Sequence, residues 1–369
     1  MTHHQFATNI EKTGFVLENR IAQQLKAGRW TVISNKYYVD DAEETVREID
    51  LVAYQATRVQ HFDVYTTLII SCKKSESNLW ALLSRDIDLK DPNSDWYPLH
   101  VWSNDKALLY QHGMVGYSRR YHNEVCRLGV SDALKIPDVE VFAFQEMNKT
   151  SGAPQNDKNI FSAITSLMKA QSYETGALPQ RKKSPAVYQF NLLSIVDSDL
   201  LRLQFTSDNI SAEPIESEHY IARYIIRKRE TFSRIRFLRA DSFSAILADY
   251  ERLHRANCKW FDSECNTFYA DILTDPIRTD TLLEDFQKEV ARNLSWILER
   301  HNQKGIQLSS IFLFWDNKKN LVSVYAPFGH VGTQLLNSNE QARRHVTEAL
   351  EKIYRYTGQF EFEDDDIPF

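Results

Sequence analysis

Three charged residues stand where an apolar sheet would otherwise continue. Glu18 lies in an N-terminal helical stretch, Asp50 inside Glu48-Ile-Asp-Leu-Val-Ala-Tyr54, and Lys73 directly after Leu68-Ile69-Ile70-Ser71-Cys72. The order helix, strand, strand, helix brings two carboxylates and an ammonium to one edge of a sheet. Burying a charge is costly unless it is paired, so Asp50 and Lys73 are either an edge ion pair or the working groups of a site. Glu18 is either their third member or an exposed helix-face glutamate, and strand alternation puts Glu48 on the face of Asp50.

A second chemistry is written in the end of the chain, Asp364-Asp365-Asp366-Ile367-Pro368-Phe369. Pro368 fixes its own φ and biases Ile367 toward an extended conformation, so Phe369 is presented at little ordering cost. Its ring suits an apolar pocket and its α-carboxylate an Arg or Lys. Together with Glu361 and Glu363, the aspartates would steer this end onto a basic rim. The alternative is a solvated acidic tail.

The third candidate is a basic segment in an acidic chain. Arg223, Arg227, Lys228, Arg229, Arg234, Arg236 and Arg239 crowd together with Glu230 as the one acid among them, against a formal net charge of -6. Arg227, Lys228, Arg229, Arg234 and Arg236 are candidate phosphate contacts for DNA. Arg181, Lys182 and Lys183 extend the strip, with Trp96, Tyr97 and Trp102 either stacking on bases or lying in the core. The other reading is a solvated face paired with Glu213, Glu216 and Glu218.

The elements that must position these groups follow from periodicity. Helical spacing runs from Asn9 to Ala27 and stops at Gly28; strands are expected over Trp30–Val39, Glu48–Tyr54 and Leu68–Cys72. A helical stretch is expected over Leu79–Leu83, then loop from Asp86 to Pro98, a strand over Val139–Phe144 and a helix over Ile160–Tyr173. Gly176–Pro185 reads as an exposed basic linker. Strands over Val187–Val196, Leu200–Phe205 and Tyr220–Ile226 precede a helix over Phe243–His254. Beyond Pro276 comes a separate unit: helix Thr281–His301, strands Ser310–Trp315 and Leu321–Tyr325, and helix Asn339–Tyr356. The expected division is therefore 1–275, 276–357 and a flexible acidic tail, 358–369. The middle unit either completes the fold or forms a homodimer interface through Trp296, Phe312, Phe314 and Trp315.

With 369 residues, 43% of them hydrophobic and 12% aromatic, the chain buries a sizeable core. Its acidic balance excludes a uniformly basic nucleic-acid binder. Cys72, Cys126, Cys258 and Cys265 lack zinc-site spacing and do not suggest a disulfide framework. No apolar run reaches membrane-span length, and the polar start, Met1-Thr2-His3-His4, is unlike a signal peptide, so a cytoplasmic protein without membrane contact is expected.

Two resemblances sharpen these expectations. Gly14-Phe-Val-Leu-Glu18, Arg47-Glu-Ile-Asp50-Leu-Val-Ala and Leu68-Ile-Ile-Ser71-Cys-Lys73-Lys resemble the motifs of the PD-(D/E)XK nucleases, over roughly residues 10 to 85. That resemblance implies an α/β fold of the restriction-endonuclease type, a mixed sheet flanked by helices, carrying here a small C-terminal α/β module and the acidic tail. It also implies a divalent ion, Mg²⁺ or Mn²⁺, on Asp50 and Glu18, with Lys73 orienting water or stabilising the phosphorane oxygens. The family's second acid falls on Ser71, which offers a hydroxyl instead. The DDDIPF end resembles the C-terminal tip of bacterial single-stranded-DNA-binding protein, implying docking to the repair and replication proteins that bind that tip. The combined expectation is a metal-dependent DNA nuclease of anti-phage defence linked to that network. The alternative is a catalytically degenerate DNA-holding scaffold or a decoy for tip-binding enzymes.

Overall fold

The computed structural model describes residues 6, 9–11, 13–40, 44–301, 308 and 310–364. The chain forms two units, residues 1–105 with 115–262, and 106–114 with 263–369. The division expected near residue 275 falls instead inside a continuous helix, where no break in apolar spacing marks it.

In the first unit, α1 (Gly14–Ala27) buries Leu17, Ile21, Ala22 and Leu25, one stripe of a helical surface. Three strands follow as an antiparallel meander, β1 (Thr31–Val39), β2 (Val46–Val59) and β3 (Phe62–Lys74). Next come β4 (Asn78–Asp86), β5 (His100–Ser103), α2 (Lys106–His112), which belongs to the second unit, α3 (Tyr117–Arg127) and β6 (Val139–Asn148). The long α4 (Lys158–Arg181) then leads to β7 (Ala186–Asp197), β8 (Leu200–Phe205), β9 (Ile210–Pro214), β10 (Ser217–Ile226) and β11 (Arg229–Arg239). A helix, α5 (Phe243–Tyr269), carries the chain onward.

The larger sheet runs β1-β2-β3-β7-β11-β10, with β5 paired to the first half of β7. Within it β3, β7 and β11 are parallel, so their C-terminal ends share one edge. Ile160, Ile164, Leu167 and Met168 of α4 join Ile69, Phe190, Leu192 and Phe237 of the strands in one buried cluster. The second sheet runs β6-β4-β8-β9. Here the helix expected over Leu79–Leu83 is a strand: Trp80, Ala81 and Leu82 are buried in succession. Such a short apolar run between two strand neighbours does not distinguish helix from sheet by period.

The expected linker at Gly176–Pro185 is also corrected. α4 continues to Arg181 through Pro179, in its last turn. Arg181 bonds Glu174 at 2.9 Å, and Lys182 bonds Asp63 and the Tyr65 hydroxyl at 3.2 and 2.9 Å, so these cations hold the helix end rather than line a free strip.

Between β1 and β2, Asp40 is fully buried and accepts from Arg47 at 2.8 Å and from Lys169 of α4 at 2.7 Å. Removing one partner of a buried ion pair leaves the other's desolvation uncompensated. Asp40→Ala is therefore expected to cost about 3 kcal/mol in urea unfolding; a loss within experimental error would show that water replaces the carboxylate.

In the second unit, α6 (Pro276–Arg300) starts with Pro276 at its first position, and Asp275 accepts from the N–H groups of Ile277 and Arg278. β12 (Phe312–Asp316) and β13 (Leu321–Ala326) pair antiparallel, α7 (Gly329–Ser338) and α8 (Glu340–Tyr354) follow, and β14 (Phe360–Asp364) lies parallel to β13. The tail expected from Gly358 is thus a strand as far as Asp364. The alternation Phe360-Glu361-Phe362-Glu363 buries both phenylalanines and leaves both glutamates half-buried. Among the described residues no helix is long and apolar enough to cross a membrane.

Candidate functional site

The edge where the parallel strands end collects the charged residues singled out above. Backbone pairing between β2 and β3 begins at Leu51 opposite Ile70. Beyond it, the Asp50 carboxylate takes over: its Oδ2 accepts from the Cys72 N–H at 2.6 Å and lies 3.4 Å from Ser71 Oγ and 3.8 Å from Lys73 Nζ. Asp50 and Lys73 are partly exposed, while Ser71 is only 1% exposed. Ser71 therefore supports Asp50 from below.

Glu18 reaches the same edge from α1, on the residue after buried Leu17. Its carboxyl is held above the usual glutamate range, first by burial and then by the negative charges of Asp50 and Glu48, with Lys73 opposing. Glu18 thus feels two other carboxylates, with Lys73 as the opposing cation. Burial, Asp50 and Glu18 likewise push the Cys72 thiol up, which argues against a thiolate nucleophile.

Sequence reasoning overlooked Asn35. Its Nδ2 donates to Glu48 Oε1 at 2.6 Å, and its φ of 52° falls in the left-handed region, where Asn is among the better-tolerated residues. Asn35 lies between Ser34 and Lys36, which pair with Leu51 and Ile49, so the irregular backbone sits opposite Asp50. An Asn at the middle of the strand pattern Thr31–Val39 was the available signal. Farther along the edge, Arg20 lies 3.5 Å from Asp197 at the end of β7 and 3.9 Å from Asp241. Lys74 bonds the Glu11 carbonyl and pairs with Glu76.

A pH signature follows. Below the unfolded-state value Glu18 is protonated in both states; as pH rises through its elevated folded value, ionisation destabilises the native state. Glu18→Gln removes that penalty. Thermal melts without divalent ions should coincide near pH 4, about the ordinary glutamate range, with the variant increasingly ahead as pH approaches neutrality. Parallel curves would refute the crowding of acids.

The basic segment is not brought together as one surface. Arg227 and Lys228 form the two-residue turn between β10 and β11, both with positive φ, and Arg229 begins β11 in solvent. Arg234 and Arg236, expected on DNA, are buried and correct that reading: Arg236 pairs with Asp249 at 2.9 Å, and Arg234 donates to the carbonyls of Trp96 and Lys135. Both faces of β11 are covered from Ser233 to Leu238, so Arg234 and Arg236 are buried although they alternate with Ile235 and Phe237, while Arg223 pairs with Glu230 at 2.6 Å. Trp96 is also buried, its indole N–H bonded to the Asp88 carbonyl.

At the other end of the chain, Asp364 Oδ1 accepts from the Gly329 N–H at 2.8 Å, at the start of α7. That places the carboxylate where the first N–H groups of a helix need an acceptor. Asp365, Asp366, Ile367, Pro368 and Phe369 lie outside the described residues. Glu361, Glu363 and Asp316 are, among the described residues, the one acidic trio whose ligand oxygens lie within 4.8 Å of one another. Lys319 already reaches all three. Glu18, Glu48 and Asp50 form no such tight trio.

No family model, curated protein or solved structure matches the chain. The functional reading rests on the side chains themselves.

Proposed function

We propose that this chain is a metal-dependent, nuclease-like protein of the restriction-endonuclease type, acting on nucleic-acid phosphodiesters at the Asp50–Lys73 edge. One observation carries the reading: Lys73 lies 3.8 Å from Asp50 at an edge that also holds Glu18, whose carboxyl is raised first by burial and then by the charges of Asp50 and Glu48. Hard oxygen donors with surplus negative charge suit a divalent cation of the Mg²⁺ or Mn²⁺ kind. The α1–β1–β2–β3 order, with α4 leading back to β7 parallel to β3, supports the same assignment. Open α/β sheets bind ligands beyond the carboxyl ends of their parallel strands, the edge in question.

Asp50 and Glu18 would hold the ion, with Glu48, anchored by Asn35, beside them. Bound there, a divalent ion acidifies water and offsets charge on a phosphoryl oxygen. The Cys72 N–H and Ser71 hydroxyl fix the orientation of Asp50, and Lys73 supplies a donor to a non-bridging phosphate oxygen. Manganese titration by calorimetry tests the assignment: wild type is expected to bind, and Asp50→Asn to weaken binding by at least about tenfold, the scale of a lost ligand-shell contact. Equal binding by the two proteins would overturn it.

A second reading, a DNA-holding scaffold without cleavage, is favoured by the hydroxyl of Ser71 where the family pattern places an acid. In either reading, a place in anti-phage defence rests on the nuclease resemblance alone, and a link to single-strand-DNA repair enzymes rests on the DDDIPF sequence. Deleting Phe369 and measuring capture of tip-binding repair enzymes tests the link; unchanged capture would refute it.

A further inference from the structure

The two inward arginines of β11 leave a charge problem that the described protein groups do not solve. Arg236 is neutralised by Asp249, but Arg234, 8% exposed, has no carboxylate within ion-pair distance among the described residues. Its partners are the carbonyls of Trp96, at 3.0 Å, and Lys135. Burial pulls its guanidinium down to about 10, with Tyr250, Asp95 and Tyr97 opposing, which still leaves it charged at neutral pH.

Beside it lies a cavity of about 20 Å³ whose walls include Arg234, Arg236, Gln171, His100 and Tyr250. Three buried side-chain atoms of these wall residues lack any hydrogen-bond partner: Arg234 Nε, Arg236 Nε and Gln171 Nε2. All three are donors. Among the other wall groups, His100 Nε2 is bonded to the Phe232 carbonyl and Ser233 Oγ, and Gln189 to Asn191 and Asn257. A cation would be repelled by the two guanidinium groups in the wall. A water molecule has two lone pairs to meet three donors and two protons of its own to place, and it leaves the Arg234 charge uncompensated. The volume admits one water-sized occupant, which excludes phosphate and sulfate.

We propose that the first unit binds a single halide-class anion, chloride in physiological salt, in the cavity lined by Arg234, Arg236 and Gln171. The ion neutralises Arg234 and ties β11 to α4 and to the segment around Trp96. It is a structural ligand, independent of the Asp50 edge.

Bromide is the probe. Full-length protein crystallised in about 100 mM bromide is expected to show an anomalous scattering peak in this cavity. At constant ionic strength, replacing gluconate with that bromide should raise the melting temperature of the first unit by about 5 °C, as mass action on a millimolar site requires. Arg234→Met should flatten that response while the gluconate baseline remains measurable. Should the variant fail to fold, the wild-type anomalous map decides alone. A cavity without anomalous signal, equal melting in bromide and gluconate, or an unchanged bromide response in Arg234→Met would each overturn the proposal.

Discussion

Asp50→Ala is expected to lower Mg²⁺- or Mn²⁺-dependent DNA cleavage by about 10³-fold, the scale seen when one preorganised charge-stabilising group is lost. The carboxylate is the hub of the edge: the Cys72 N–H, the Ser71 hydroxyl and the Lys73 ammonium all converge on its Oδ2. Lys73→Met should lower the rate comparably by withdrawing the donor, and it also removes the lysine that opposes the charge on Glu18. Nicking of supercoiled plasmid and cleavage of single-stranded oligonucleotides, each with and without metal, provide the measurement. Wild-type activity undiminished in Asp50→Ala would move the chemistry elsewhere. No cleavage by wild type on any substrate would leave the scaffold reading, and Ser71→Glu then asks whether the missing acid is the reason.

Phe362→Ala should destabilise the second unit by about 3–5 kcal/mol, the range for emptying a buried aromatic site. Phe362 is 1% exposed, packs edge-on against Phe328 and Phe360, and exchanges two backbone hydrogen bonds with the Asn337 side chain. Urea unfolding measures the loss; a value below about 1 kcal/mol, as for surface substitutions, would mean that β14 is not integral to the sheet. Neighbouring Glu363 adds an acid-side dependence. Burial alone would raise its carboxyl, but a hydrogen bond from the Tyr325 hydroxyl and the bond and charge of Lys319 bring it down to about 2. Its stabilising share is therefore complete above the ordinary glutamate value and is lost as pH falls through about 2.

Much of the site was legible because apolar strands interrupted by charge are rare without a reason. Asp50 and Lys73 lie 3.8 Å apart, and Glu18 feels both. Asn35 was not legible, since its contribution depends on a left-handed backbone that a strand pattern conceals. In the fold, β7 stands out by continuous apolar content, whereas the helix expected from Thr281 starts at Pro276 behind its Asp275 cap. The strand β4 was taken for a helix because a buried central strand and a short helix present the same run of large side chains. The arginines of β11 mislead for a related reason: composition counts charge, whereas the cover over both faces of the strand from Ser233 to Leu238 decides whether it meets solvent. Likewise, acidic composition from Glu361 to Asp364 suggested solvent, while the intervening phenylalanines made a strand.

The parallel seam between β3 and β7 pairs Asp63 with Ala186 and Lys74 with Asp197, joining segments separated by β4, β5, α2, α3, β6 and α4. Closing so large a loop precedes any reward from the contacts it makes, so assembly of this seam should be slow relative to the local meander of β1 to β3. Refolding after dilution from urea should accordingly show early hairpin formation, followed by a later phase in which the Asp50 edge first acquires its β7 flank. During that interval β3 presents an unpaired apolar margin, and self-association rising with protein concentration is the expected hazard.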